Sequence, residues 1–266
     1  MSESTERFNP VPSRKLGRLP HDPVALASAP QLAGHPFATT APRAVVDRRE
    51  VPFQPGLYHN DTLPDCTAAG LANAASAVAA LNGFALAIAP DKVTAFYAGC
   101  VGCAPTFEAM EATPGAVVLD VLNRQVTQGF DVGSQVPLVG LHGVLPHDRT
   151  TLACAIDRLG HAYLGVRLFE RDMEESPVWD VVDGRDDGKV VGGHLIVGWD
   201  YTSLTDDATV RVATWGKFQP ATWRWLEARL SEAHALIWRQ LGATSGEDLG
   251  VSVEALESDL ARIRTA

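Results

Sequence analysis

No stretch of this chain holds the roughly 18 to 20 consecutive apolar residues that a membrane-spanning helix requires. The opening residues "MSESTERFNPVPSRK" lack the apolar core of an export signal. Cysteine is scarce, four in 266 residues, which is too few for a disulfide scaffold in a chain this long, so reduced thiols are expected. Positive charge is in the minority: 22 Lys and Arg face 32 Asp and Glu, for a net charge of −10. That balance argues against a surface that tracks nucleic-acid phosphates. The expectation is a cytoplasmic protein with no nucleic-acid and no membrane partner. What is abundant is core material, since a 46% hydrophobic content over 266 residues can fill one large domain or two lobes.

Residues 1–42 carry Pro10, Pro12, Pro20, Pro23, Pro30, Pro36 and Pro42, which forbid a long helix and predict an extended arm. Residues 43–240 hold the periodic segments, and 241–266 form a polar tail with a short amphipathic helix. Helix signals cover 66–82, closed by Asn82-Gly83; Pro90 to Gly99; Gly115 to Gln128; and "DRTTLACAIDRLG", capped by Asp148 and stopped by Gly160. The rhythm then changes to strands in "HAYLGVRL", "HLIVGWDY" and "TVRVATWG". Pro220 can open a helix in "PATWRWLEARL", and "HALIW" reads as a closing strand. In the tail, Val253, Leu256, Leu260 and Ile263 make a narrow apolar seam that must pack on something. A helical first half thus precedes a strand-rich second half, an α+β arrangement.

The candidate chemistry begins in "YHNDTLPDC". Cys66 opens a helix, whose N-terminal partial charge favours a thiolate, while the adjacent Asp65 disfavours one. It is either a nucleophile or a small apolar residue of a packed helix. Asn60 stands six residues before it and could offer an amide N–H to an oxyanion beside the backbone N–H of Cys66. Among eight histidines, His194 is set apart because Gly192-Gly193 precede it and "LIVGW" follows. It is a base or a strand-end histidine. Cys100 and Cys103 form "CVGC", read as a loop near the helical lobe; a structural zinc would need a second such pair, so no metal and no cofactor are expected.

"NDTLPDC" resembles the segment of papain-like cysteine peptidases that runs from an oxyanion Gln to the nucleophile, six residues on. "GGHLIVGWDY" is similar to that family's catalytic-His strand, and "VRVATWGK" to its following strand ending in Trp-Gly. "DRTTLACAIDRLGHAYLGVRL" resembles the helix and strand ahead of the His. The four come in the family's order across about residues 43 to 240. The resemblance implies a papain-like two-lobe α+β fold, a helical lobe carrying Cys66 and an antiparallel β-rich lobe carrying His194, with a cleft between. It also implies Cys66 and His194 as catalytic dyad, Asn60 as oxyanion donor, Trp215 as the shield of the pair, and a protein or peptide as partner.

Three departures accompany it. The family's imidazole-orienting Asn aligns with Ala213, and Thr214 beside it should point to the opposite strand face. Leu63 replaces a disulfide Cys of secreted members. A helical inhibitory propeptide is not recognisable in the Pro-rich arm. "TWGKFQPATWRW" resembles the Trp-rich ending of papain-like proteins of tailed phages and prophages. The alternative to a thiol hydrolase (peptidase or amidase) is therefore a catalytically degenerate structural or interaction protein, a virion component included. In that case the arm and the 252–264 helix would contact other chains.

Overall fold

The computed structural model describes residues 14–33, 41–238, 240–241 and 258. Its centre is the helix Cys66–Leu81, in which only Ser76 and Leu81 escape full burial. A helix that is apolar all round belongs inside a protein, and its run of Ala and Gly allows close neighbours. Gly70 marks the closest approach: a Cβ there would lie 2.0 Å from Leu195 Cδ2. This contact seats the helix on the strand that carries His194.

The helices Pro90–Val101, Phe107–Glu111 and Val118–Gln128 surround the central one. Cys100 therefore stands in the last turn of a helix rather than in a loop, because the helix runs on until Gly102, whose φ of 69° supplies the left-handed cap. Cys103 follows that cap, and all four cysteines are free thiols.

The second half is a six-stranded antiparallel sheet of order β3-β8-β4-β5-β6-β7. Its strands are β3 (Gly140–Val144), β4 (Ala162–Phe169), β5 (Val190–Tyr201), β6 (Thr209–Thr214), β7 (Lys217–Thr222) and β8 (Leu230–Trp238). One face, with Leu195, Val197, Trp199 and Ala213, joins the helical core. The other, with Val166, Ile196 and Val212, packs on the helix Arg149–Leu159 and on Trp179, Trp223 and Trp225. That helix is capped by Asp148 and ended by Gly160 in the left-handed conformation, as its sequence predicts.

The start of the last helix is corrected. Pro220 does not start a helix: it lies in β7, an edge strand, where a missing N–H costs no ladder bond. The helix starts at Trp223 instead, because Thr222 Oγ1 accepts from Trp225 N at 3.2 Å. The described part of the arm, 14–33, lies on the body. It contains β1 (Arg18–Leu19), paired in parallel with β2 (Ala116–Val117), and a six-residue helix Pro23–Ser28 capped by Asp22. Leu32 at its end is fully buried. The 252–264 seam lies outside the described residues apart from Ser258.

Candidate active site

Cys66 is the first residue of the central helix, and its side chain is 1% exposed. The helix end alone does not activate it. Burial pushes the thiol up to about 12, against hydrogen bonding from the Leu195 and Gly17 backbones that pulls the other way. Cys66 packs in the core cluster that holds Leu195, the residue that follows His194 on β5. Asp65, the helix N-cap, is fully buried and caps nothing with its side chain. Burial raises its carboxyl to about 8, so at neutral pH it is largely uncharged and repels a thiolate less than its formal charge suggests.

Asn60 is buried at the close of a strained turn, Tyr58 and His59 having φ of 53° and 69°. Its Nδ2 donates to Leu63 O at 3.2 Å, and the same amide hydrogen bonds toward the Asp65 carboxyl, opposing the effect of burial there. The structure thus brings Asn60 to the turn before Cys66, with its donor capacity directed at local partners.

His194 is fully buried in β5. Its Nε2 lies 2.7 Å from Thr214 Oγ1, and its Nδ1 has no hydrogen-bond partner. The sequence reading of this position is corrected. Strand alternation does put Ala213 and Thr214 on opposite faces, but Ala213 is the one turned away, into the helical core with Leu195 and Val197. The imidazole is held by a hydroxyl where an amide was expected. The signal was available in the register, since Leu195 and Val197 of β5 share Ala213's face and His194 alternates with them.

Trp215 follows at once. Trp215 and Gly216, with φ of 42° and 72°, form the two-residue turn joining β6 to β7, a conformation matched to the strand twist but uncommon for a tryptophan. The turn lays the indole on the His194 ring, with centroids 4.1 Å apart and planes at 15°. His194 is consequently dry, and burial lowers it to about 3, with Arg14 and Arg18 adding to the shift.

The arm closes the site, which sequence reasoning missed. It threads between the lobes. Lys15 N donates to Asn60 O (3.3 Å) and Trp215 Nε1 to Lys15 O (3.1 Å). Gly17 N donates to Gly193 O (3.3 Å), and Ala116 N to Gly17 O (2.8 Å). Glycines make the passage: a Cβ on Gly17 would lie 1.9 Å from Pro64 O, and one on Gly193 would lie 2.2 Å from Arg18 O. A cleft of this width takes extended main chain and has no need of a propeptide's helices, so the prolines that argued against a cover are compatible with one. Among the described residues no group of three or more His, Cys, Asp or Glu is placed to hold a metal. No helix among them is long and apolar enough to cross a membrane.

No protein-family model matches the chain, and no curated protein does. Solved structures do. Xylellain, a cysteine protease from Xylella fastidiosa, superposes with a TM-score of 0.59 at 11% identity, over 86% of this chain and 98% of that one. The proCathepsin B S9 of Trypanosoma congolense gives 0.59 at 13% identity, over 85% and 87%. The digestive procathepsin L 3 of Tenebrio molitor gives 0.53 at 10%, over 85% and 76%. With its helical lobe, its antiparallel sheet lobe and these neighbours, the chain has the papain-like two-lobe α+β fold.

Proposed function

We propose that this chain is a thiol hydrolase that cleaves an amide bond of a protein or peptide, with Cys66 as nucleophile and His194 as base. The observation that carries this reading is the divided imidazole: Thr214 holds one ring nitrogen, while the other is unpaired, on the strand whose next residue, Leu195, packs in the same core cluster as Cys66. An imidazole with one nitrogen anchored has its ring plane held, and in the tautomer whose Nε2–H donates to Thr214 Oγ1 the other nitrogen, Nδ1, is the one that can accept a thiol proton.

In that mechanism His194 Nδ1 takes the Cys66 proton, and the sulfur attacks the substrate carbonyl carbon. The oxyanion is met by the Cys66 backbone N–H at the helix end and by the Asn60 amide, which exchanges a local partner for it. His194 returns the proton to the leaving amine as the C–N bond breaks, leaving a thioester on Cys66. A water molecule, deprotonated by the same nitrogen, adds to the thioester, and the C–S bond breaks to release the acid. Trp215 keeps bulk water from the imidazole.

One set of observations favours a second reading. With the arm in place, burial raises Cys66 to about 12 and lowers His194 to about 3, so the pair is neutral and dry. If the arm never leaves, the chain is a structural or interaction protein on a papain-like frame, a phage virion component included. Incubation of the full chain with a peptide library, followed by intact-mass detection of a thioester on Cys66, separates the two. A Cys66-linked acyl adduct absent from Cys66→Ser supports hydrolysis; no adduct in the wild-type chain or in an arm-displaced variant overturns it.

A further inference from the structure

Between the central helix and the helix Pro90–Val101 runs Gly83–Pro90, eight residues without one polar side chain. Leu86 and Ile88 turn inward onto the helical core, while Phe84, Ala85, Ala87 and Ala89 are exposed, Phe84 at 43%. That alternation is the mark of an extended segment. From Ala85 to Ala89 no backbone N–H has a backbone partner among the described residues. A short series of contacts links this bare strip to the place where the described chain leaves the body. Gln240 Nε2 donates to Pro137 O at 3.1 Å, its Oε1 accepts from Val139 N at 2.8 Å, and Leu241 is buried in the helical core. Val136, 60% exposed, adds apolar surface there. Leu138 pairs with Phe130, whose ring lies 5.0 Å from that of Phe96, and Asp131 holds Lys92 at 2.8 Å. Lys92 stands three residues past Ala89.

We propose that the strip Phe84–Ala89 is the docking face for this chain's own segment 252–264, seated with Val253, Leu256, Leu260 and Ile263 inward. The lengths match. A helix rises about 1.5 Å per residue, so the seam from Val253 to Ile263 spans about 15 Å, against about 17 Å for six extended residues. The reach suffices as well. Residues 242–252 separate the seam from Leu241, and eleven residues extend to at most about 36 Å. That tether favours the strip of the same chain over the strip of a second copy, which must be met from solution. Ser258, the one described residue of the segment, is helical and exposed. At about 100° per residue it lies opposite the mean direction of the seam, so the side turned to solvent is the polar one. Alone, each surface is unfavourable: thirteen residues make a marginal helix in water, and the strip leaves open amides beside apolar side chains. Packed together, both apolar surfaces leave water, and the methyl groups of Ala85, Ala87 and Ala89 permit a close approach.

Photo-crosslinking of the full chain tests this. With p-benzoylphenylalanine in place of Ala87, irradiation should give a main adduct with residues 252–264, located by mass spectrometry after digestion. Chains of natural and heavy nitrogen, mixed before irradiation, should give adducts of uniform isotope, because donor and acceptor belong to one chain. Leu256→Asp together with Leu260→Asp should lower the adduct yield about tenfold, since the strip offers no partner for a carboxylate. Amide hydrogen exchange on chains without the probe gives a second reading, which decides the matter if the probe disturbs the fold. Peptides spanning 84–89 should exchange about fivefold faster in the doubly substituted chain than in the wild type. A main adduct elsewhere on the body, or exchange at 84–89 that is indifferent to the seam substitutions, would overturn the proposal. Adducts of mixed isotope would overturn its same-chain part and make the seam a clasp between copies. None of these readings involves hydrolysis, so they stand or fall apart from the reaction at Cys66.

Discussion

Two arginines are buried to the same degree, 6% exposed each, and they do different things. Arg48 is enclosed by the body. Its Nη1 donates to the carbonyls of Gly160 (2.8 Å) and Trp199, and its Nη2 to those of Ile156 (2.6 Å) and Asp157 (3.2 Å); its guanidinium lies 4.9 Å from the Trp199 ring centroid. It joins the end of the helix Arg149–Leu159 to β5, and burial lowers its pKa to about 10. Arg18 meets a carboxylate, carries an Nε with no partner, and arrives on a segment outside the two lobes. A buried guanidinium shared among carbonyls of its own domain fastens that domain. One that reaches from the arm to the Glu232 carboxylate ties the arm to the body.

The comparison is broken most severely at Arg48. Arg48→Ala leaves several buried carbonyls unsatisfied and should cost on the order of 3–5 kcal/mol, a fall of about 10 °C in melting temperature. Arg18→Ala should cost less than about half of that, because the arm can lift and let water reach Glu232. Calorimetry on the two variants reads the difference, and equal losses would make Arg18 another fastener.

Next in size is the cover itself. Gly17→Ala cannot keep its present contact with Pro64 O, so it should raise the rate at which iodoacetamide labels Cys66 at pH 7.5 by about tenfold or more. Labelling read by mass spectrometry should leave the internal reference Cys154, fully buried on the far face of the sheet, unchanged.

The imidazole anchor comes third. Thr214→Val should lower hydrolysis by about tenfold with little change in melting temperature, since one hydrogen bond to a ring nitrogen is lost while the side-chain shape is retained. Ala213→Asn, which alignment with the family suggests as a repair, should instead bury an amide in the helical core at a cost of about 1–3 kcal/mol and bring no gain in rate.

The smallest effect is a pH dependence. The Asp65 carboxyl titrates at about 8 when folded and near 4 when unfolded, so the folded chain holds its proton more tightly. Its contribution to stability is complete below about pH 4 and is lost as pH rises toward 8. Asp65→Asn lacks this loss, so its melting temperature should gain on the wild type between pH 5 and pH 8. Parallel curves would mean that Asp65 is ionised in the folded chain.

Much of this was legible in sequence, and the failures share a cause. Local chemistry reported the Cys66 helix with its Asn82-Gly83 end, the Asp148 cap and Gly160 stop, and the His194 and Thr209–Thr214 strands, because periodicity and caps act within a few residues. Thr214 was misread because which strand face meets His194 depends on the register of β5 against β6. Glu232 and the arm were missed because their pairing joins residues 214 positions apart. Gly192-Gly193 reads in sequence as a place where another element can come close to His194, but neither it nor Gly17 says which element that is. Their function lies in what stands opposite them.

The most direct measurement is the pH profile of Cys66 alkylation in full-length Gly17→Ala, with and without His194→Ala. A cysteine paired with an imidazole stays reactive well below the pH at which a free thiol ionises. With the cover displaced, Cys66 should label readily at pH 6, and His194→Ala should move the onset of labelling above about pH 8. The same high-pH onset in both chains would contradict the assignment of Cys66 and His194 as a working pair.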